Sequence, residues 1–320
     1  MNKFYYVGID IGGTKIKIGV VDNYGEIYHR ESIITAENLD EKTVVKNLAK
    51  IVNQLKKDFP NIYGVGIGCA GIIDHISGSV IFSPNIGWRN FPIVQELEKK
   101  TKLKVVIDND ANAAAWGIFY LSYRGKYSHI MCVTLGTGIG GGLILNGRLY
   151  RGATGSAGEI GHMTYVPDGP ECTCGNRGCI EVYAGTKGIL KLAAERIENN
   201  PKSLILKFVE DGKITPKSIS EAAAAGDKGA ISIWNETGER IGTVFASIIN
   251  LLNLEAVHIT GGLAQAQEWL EPSINLTIKK RAFDTPSAIV DIIFGTNKQD
   301  TGLIGSGLLV LEKYQQELLQ

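Results

Sequence analysis

The chain reads as a mixed α/β protein built from two similar halves, and three observations predict this. Residues 4–22 and 130–147 each read as a strand, a Gly/Thr turn and a second strand. Each pair is followed by strand-like apolar runs alternating with stretches of helical periodicity, the pattern of layered α/β domains. Glycine is the compositional outlier, with 39 glycines against 9 prolines, which places the excess at turns and ligand loops rather than in linkers. At 320 residues and 44% hydrophobic content, the chain is long and apolar enough for two cores.

Taken in order, Tyr6-Val7-Gly8-Ile9-Asp10 is a strand, Gly12-Gly13-Thr14 a turn, and Ile16, Ile18 and Val20 mark a second strand, with a third expected near Glu26-Ile27-Tyr28. Val44, Val45, Leu48, Ile51, Val52 and Leu55 recur at helical spacing from Lys42 to Lys57. Ile62 to Cys69 is strand-like, and Ile72-Ile73 to Val80-Ile81 around Ser77-Gly78 reads as a hairpin. A short helix over Val94–Lys100, a strand at Val105-Val106-Ile107 and an alanine-rich helix over Ala111–Leu121 close the first half. The second half restarts at Ile130-Met131-Cys132-Val133-Thr134. Helices are expected near 185–198, 203–210, 218–225 and 230–252, strands at Ala256–Thr260 and Ala288–Ile293, and a closing helix over 302–316. The repeat predicts two domains around a cleft, residues 1–116 plus 302–320 and residues 117–301, with a hinge near 114–122.

Composition excludes several roles. Lys+Arg and Asp+Glu both number 33, so the net charge is zero and the electrostatic drive for nucleic-acid binding is missing. The uncharged run Ile130–Gly147 is too glycine-rich for a membrane span, and no secretory leader precedes Phe4-Tyr5-Tyr6-Val7; a cytoplasmic protein is expected. Its five cysteines therefore do not read as a disulfide framework. Cys69 and Cys132 lie in apolar runs and read as core residues, whereas Cys172, Cys174 and Cys179 crowd one polar loop.

Gly136-Thr137-Gly138-Ile139-Gly140-Gly141 matches the dinucleotide fingerprint formally but fails on context, because a strand follows where that fingerprint opens a helix. What remains is a pair of strand–turn–strand units, Asp10-Ile11-Gly12-Gly13-Thr14-Lys15 and Gly136-Thr137-Gly138, whose backbone N–H groups and Thr hydroxyls suit an anion. Asp110 follows a buried strand and opens a helix, a position that suits either an N-cap or a general base. Glu159 and His162 share a face if their turn is helical; with Glu181 they read either as solvated surface groups or as acceptors for hydroxyls. Cys172, Cys174 and Cys179 supply three thiolates, which read as zinc ligands, as free surface thiols, or as a strained disulfide that a reducing cytosol disfavours.

Together, Asp10-Ile-Gly-Gly-Thr-Lys, Asn109-Asp110-Ala-Asn-Ala-Ala-Ala, Gly136-Thr-Gly-Ile-Gly-Gly-Gly, Gly158-Glu-Ile-Gly-His and Cys172-Thr-Cys-Gly-Asn-Arg-Gly-Cys-Ile-Glu resemble the ROK (repressor, open reading frame, kinase) family from about Tyr6 to Leu309. Within it, the resemblance is greatest to bacterial ATP-dependent glucokinases. It implies an actin-like, hexokinase-type fold of two α/β domains that close on sugar and MgATP.

By this resemblance Asp110 is the catalytic base, and Gly71, Asn85, Asn109, Glu159, His162 and Glu181 contact the sugar. Asp10, Gly12, Gly13, Thr14, Lys15, Thr137 and Gly138 hold the phosphates and Mg²⁺, and Gly261-Gly262 forms the adenosine-binding turn. His162 joins Cys172, Cys174 and Cys179 around a structural Zn²⁺. Glucose is the expected substrate, with mannose, fructose or N-acetylmannosamine as alternatives, and a homodimer or higher homo-oligomer is the expected assembly. The family's repressors carry a helix-turn-helix ahead of the first glycine turn; here the first strand begins near Phe4, so a kinase is expected rather than a sugar-sensing regulator.

Overall fold

The computed structural model describes residues 3–34, 40–84, 86–295 and 300–318, the last four by backbone alone. Its contacts group into two units, Met1–Ser128 with Gly142–Gly158 and Lys298–Gln320, and His129–Gly141 with Glu159–Asn297.

In the first unit, β1 (Tyr5–Ile11) and β2 (Lys15–Asp22) pair antiparallel with Ile11 opposite Ile16, which leaves Gly12, Gly13 and Thr14 as the turn. β3 (Ile27–Ile34) extends the sheet antiparallel to β2 and is longer than the expected strand. α1 (Glu41–Asp58) begins where Asp40 accepts the Thr43 N–H and buries Val44, Val45, Leu48, Val52 and Leu55, the stripe that its periodicity marks. β4 (Ile62–Cys69) runs parallel to β1. A small antiparallel sheet follows, β5 (Ile72–Asp74), β6 (Ser79–Ser83) and β7 (Trp88–Phe91); β7 escapes the periodicity because only its two ends, Trp88 and Phe91, point inward. α2 (Ile93–Thr101) leads to β8 (Lys104–Asn109), parallel to β4, and then to α3 (Asp110–Ile118). The alanine-rich helix thus stops short of Leu121 and widens into a π-turn over Phe119–Tyr123. The main sheet has the order β3-β2-β1-β4-β8.

The chain then enters β9 (Ile130–Leu135), β10 (Ile139–Leu145) and β11 (Arg148–Tyr150). α4 (Glu181–Ala184), α5 (Thr186–Asn199), α6 (Pro216–Ala224) and α7 (Lys228–Leu252) precede β12 (Ala256–Thr260) and α8 (Gln267–Arg281). The expected helix at 203–210 is a 3₁₀ turn over Leu204–Lys207, with Asp227 accepting from Ser203 Oγ and Leu204 N–H. The expected strand Ala288–Ile293 divides into α9 (Asp284–Ile289) and β13 (Asp291–Phe294). Pro286 sits in the first turn of α9, where its missing N–H costs nothing, so Ala288 and Ile289 complete a helix rather than open a strand. β9, β12 and β13 are mutually parallel in a sheet of order β11-β10-β9-β12-β13, and β10 and β11 pair antiparallel. The two five-stranded sheets therefore repeat one strand logic.

The closing helix α10 (Thr301–Leu318) belongs to the first unit and packs against α3, β1 and β4. Among the described residues, no helix is long and apolar enough to cross a membrane.

Candidate active site

The first unit brings Asp10, Gly71, Asn109 and Asp110 to the carboxyl ends of parallel strands. β8 delivers Asn109 and Asp110 at its junction with α3, and the side chain of Asn109 caps that helix: its Oδ1 accepts from Ala111 N–H at 2.8 Å and from Asn112 N–H at 3.3 Å. Its Nδ2 donates to the Gly71 carbonyl at 3.2 Å, which ties the strand end to the loop after β4. Asp110 is thus the first residue of the helix and not its cap. Burial pushes its carboxyl above the ordinary value, against the opposing pull of the Ala111 N–H and its own.

Asp10 ends the same sheet on β1. Burial raises its carboxyl too; Lys17, with Nζ 3.7 Å away, offsets part of the rise, and the charge of Asp110 adds to it. The first turn of α10 lies against Asp10, since a Cβ on Gly302 would stand 3.0 Å from its Oδ2, and the charge of Asp300 at that helix end adds to the rise. Gly12, Gly13, Thr14 and Lys15 form the adjoining turn, closed by Gly12 N–H donating to the Lys15 carbonyl at 3.2 Å, with Gly13, Thr14 and Lys15 exposed. Asn85 lies outside the described residues.

The second unit carries the other turn. Gly136 N–H donates to the Gly138 carbonyl, while the N–H and Oγ1 of Thr186 both donate to the Gly136 carbonyl at 3.0 and 2.9 Å. Glu181 reaches this turn as well: its Oε2 accepts from Ile139 N–H at 2.8 Å, and a Cβ on Gly138 would collide with its carboxylate. Gly138 is therefore a steric requirement of the Glu181 contact. A cavity of about 580 Å³ opens beside the turn and brings Gly136, Thr137 and Gly262 together, with Gly261 at the end of β12 next to it. That volume is in the range of a nucleoside pocket. Trp234 lines it, fully buried, and its indole N–H has no partner among the described residues.

Glu159 is exposed and precedes a 3₁₀ turn over Ile160–His162, so the local helical turn expected of Glu159 and His162 is present in tighter form. His162 lies with Cys172, Cys174 and Cys179, their ligand atoms all within 4.8 Å of one another. His162 Nδ1 is 3.6 Å from Cys172 Sγ, and the Sγ atoms of Cys174 and Cys179 are 3.7 Å apart. Tetrahedral zinc bonded to sulfur at about 2.3 Å spaces two sulfurs by about 3.8 Å, so the donor set fits that ion in type and spacing. Burial pushes the Cys179 thiol up to about 12, whereas a backbone hydrogen bond from Asn176 draws Cys174 down.

The model of the ROK family matches residues 6–313. The chain belongs to the ROK family. A relative named glucokinase, from Halalkalibacterium halodurans, is 34% identical over 319 residues, 98% of this chain and 97% of its own length. A ROK family glucokinase from Streptomyces griseus, crystallised with glucose and AMPPNP, aligns with a TM-score of 0.77 at 33% identity, covering 95% of this chain and 98% of that one. A xylose repressor from Caldicellulosiruptor bescii is 31% identical over 281 residues, 87% of this chain and 70% of its own length. The actin-like, hexokinase-type α/β fold expected from the motifs is borne out by the ROK structures.

The ROK motifs do not reveal every residue at these sites. Thr186, Lys217, Glu221, Trp234 and Ala266 line the second unit's cavity without belonging to any motif, and only Thr186, just past Gly185 at a helix start, carries a local signal.

Proposed function

We propose that the protein is an ATP-dependent glucose kinase that forms glucose 6-phosphate and ADP, with Asp110 as general base. The observation that carries this reading is the division of labour at the head of α3. Asn109 satisfies the helix N-terminus, so the half-buried Asp110 carboxylate is left to chemistry. A hydroxyl nucleophile needs such a carboxylate to accept its proton as the phosphoryl group transfers. Burial raises the proton affinity of Asp110, which suits a base that must hold that proton.

Asn109 and the Gly71 loop orient the 6-hydroxyl end of the sugar in this reading, while Glu159, His162 and Glu181 bond the remaining ring hydroxyls. The Gly12–Lys15 and Gly136–Gly138 turns hold the phosphates through backbone N–H groups and the hydroxyls of Thr14 and Thr137. The cavity beside Gly262 takes the nucleoside. Asp10 would hold Mg²⁺, which would supply charge neutralisation on the phosphates. Cys172, Cys174, Cys179 and His162 would hold a structural Zn²⁺, which would cross-link the loop. A histidine that ligates through Nδ1 keeps Nε2 for a sugar hydroxyl. The setting is the cytoplasm.

The relatives named glucokinase support glucose over other hexoses, and the xylose repressor identity keeps a regulator as the second reading. The test is kcat/KM from coupled ADP release with MgATP across glucose, mannose, fructose, N-acetylglucosamine and N-acetylmannosamine. Glucose should lead, with mannose weaker by about 1–3 kcal/mol in transition-state binding. A tenfold lead for fructose or an N-acetylated sugar contradicts the glucose assignment, and no turnover of any sugar favours the regulator.

A further inference from the structure

Within the first unit, Arg151 lies at the centre of a partly buried ionic network that the sugar and nucleotide assignments do not use. Its Nε donates to Asp108 Oδ2 at 2.6 Å, and its Nη1 and Nη2 donate to Glu312 Oε1 and Oε2 at 3.1 and 2.9 Å. Asp108 is the residue of β8 just before Asn109, and its side chain is 4% exposed. Its second oxygen, Oδ1, accepts from Asn109 N–H at 2.8 Å and from Asn112 Nδ2 at 2.9 Å.

The Asp108 carboxylate therefore grips α3 on either side of Asp110, at the cap residue before it and in the first turn after it. The Asn112 amide shows how strongly this grip is specified. Asn112 is 2% exposed and its Oδ1 has no hydrogen-bond partner among the described residues. A buried polar atom without a partner is unfavourable, and the amide accepts that cost while keeping its NH₂ on Asp108. Asp108 in turn needs a counter-charge, because an unpaired carboxylate at that depth is strongly destabilising. Arg151 is that charge, and its bidentate bond to Glu312 on α10 fixes its direction.

We infer that Arg151 is a positioning residue for phosphoryl transfer: through Asp108 it sets the placement of the Asp110 carboxylate. This rests on the reading of Asp110 as the base. Rate depends steeply on such placement, since a displacement of about 1 Å from a change remote from the chemistry can cost about 10²-fold. In this reading glucose and ATP touch neither Arg151 nor Asp108, and the Asn109 side chain keeps its own bonds to Gly71 and to α3, so binding should survive loss of Arg151.

The experiment compares kcat, both KM values, glucose affinity and stoichiometry by calorimetry, and the pH profile of kcat for the parent, Arg151→Met, Arg151→Lys, Glu312→Gln and Asp110→Asn, plus the double variant Arg151→Met/Asp110→Asn. Arg151→Met should lower kcat by about 10²-fold, with KM values within threefold and full glucose stoichiometry. Arg151→Lys, which keeps the charge but not the fork, should recover part of the loss. Loosening the turn weakens the N–H contacts that restrain the Asp110 proton affinity, so the acid limb of kcat should move to higher pH. The charged and titratable groups facing this region are Asp10 and Cys69 beside Asp110, Lys17 and Asp300 beside Asp10, and Glu312, His75 and Asp74 on the side of Arg151 and Asp108.

In the Asp110→Asn background, Arg151→Met should cost little more, because both changes act on one step. An Arg151→Met protein that binds glucose fully with parental kcat overturns the inference. So does a loss matched by a fall in glucose stoichiometry, or one that multiplies in full with Asp110→Asn. If Arg151→Met does not fold, Arg151→Lys and Glu312→Gln decide: lowered kcat at full stoichiometry supports the role, and parental kcat overturns it. Near-parental kcat in Asp110→Asn itself defeats the base reading instead, a separate result.

Discussion

Asn109 caps α3 with its own side chain, accepting from Ala111 and Asn112 N–H, and Asp110, the next residue, opens the helix. Either residue type makes a good N-cap, and the geometry assigns the task to the first. This separates two consequences of mutation that adjacent residues would otherwise share.

Asn109→Ala should destabilise the protein by about 0.5–2 kcal/mol, the usual worth of an N-cap, and loosen the Gly71 loop that its Nδ2 holds. Thermal or denaturant unfolding measures this. An unchanged midpoint would remove the capping role.

Glu181 carries a second test. Because its carboxylate holds Ile139 N–H at the end of the Gly136–Gly138 turn, Glu181→Ala should raise KM for ATP as well as for glucose. Initial rates with each substrate varied in turn would show it. A change confined to glucose would make Glu181 a sugar ligand only.

Elemental analysis of purified protein should find one zinc per chain, and Cys179→Ser should lose it. Since His162 belongs both to the cluster and to the proposed sugar ligands, metal loss should weaken glucose turnover along with thermal stability. Metal-free protein with parental activity and melting would contradict the site.

Acid sensitivity should involve His258 on β12, whose folded value burial lowers to about 4 from 6.5. Between those values the unfolded chain binds a proton that the folded chain refuses, so stability falls as pH drops from 6.5 towards 4. His258→Gln should flatten the dependence of unfolding free energy on pH by up to one proton across that window. An unchanged slope would exclude the contribution.

The legible parts of the molecule are those encoded locally. The β1–turn–β2 unit, the stripe on α1 and the Cys loop all announce themselves within a few residues. β7 and α4 are too short for periodicity, and Ala288-Ile289 reads as strand until Pro286 is recognised as a first-turn helical residue. Asp110 is visible through its motif, yet sequence alone leaves cap and base open because the choice depends on the backbone at Asn109. Arg151 is invisible for a different reason: its partners lie 43 and 161 residues away, and only the fold brings them together.

The most direct test of the account is kcat of Asp110→Asn with glucose and MgATP, measured on protein whose fold and glucose affinity are verified. General base catalysis is worth about 10²–10⁴-fold, and kcat should fall by that factor. Stability at neutral pH should not fall. The raised folded value of Asp110 means that ionisation costs stability as pH rises through it, so a neutral amide relieves that cost. Parental kcat in a folded, glucose-binding Asp110→Asn protein would contradict the central claim.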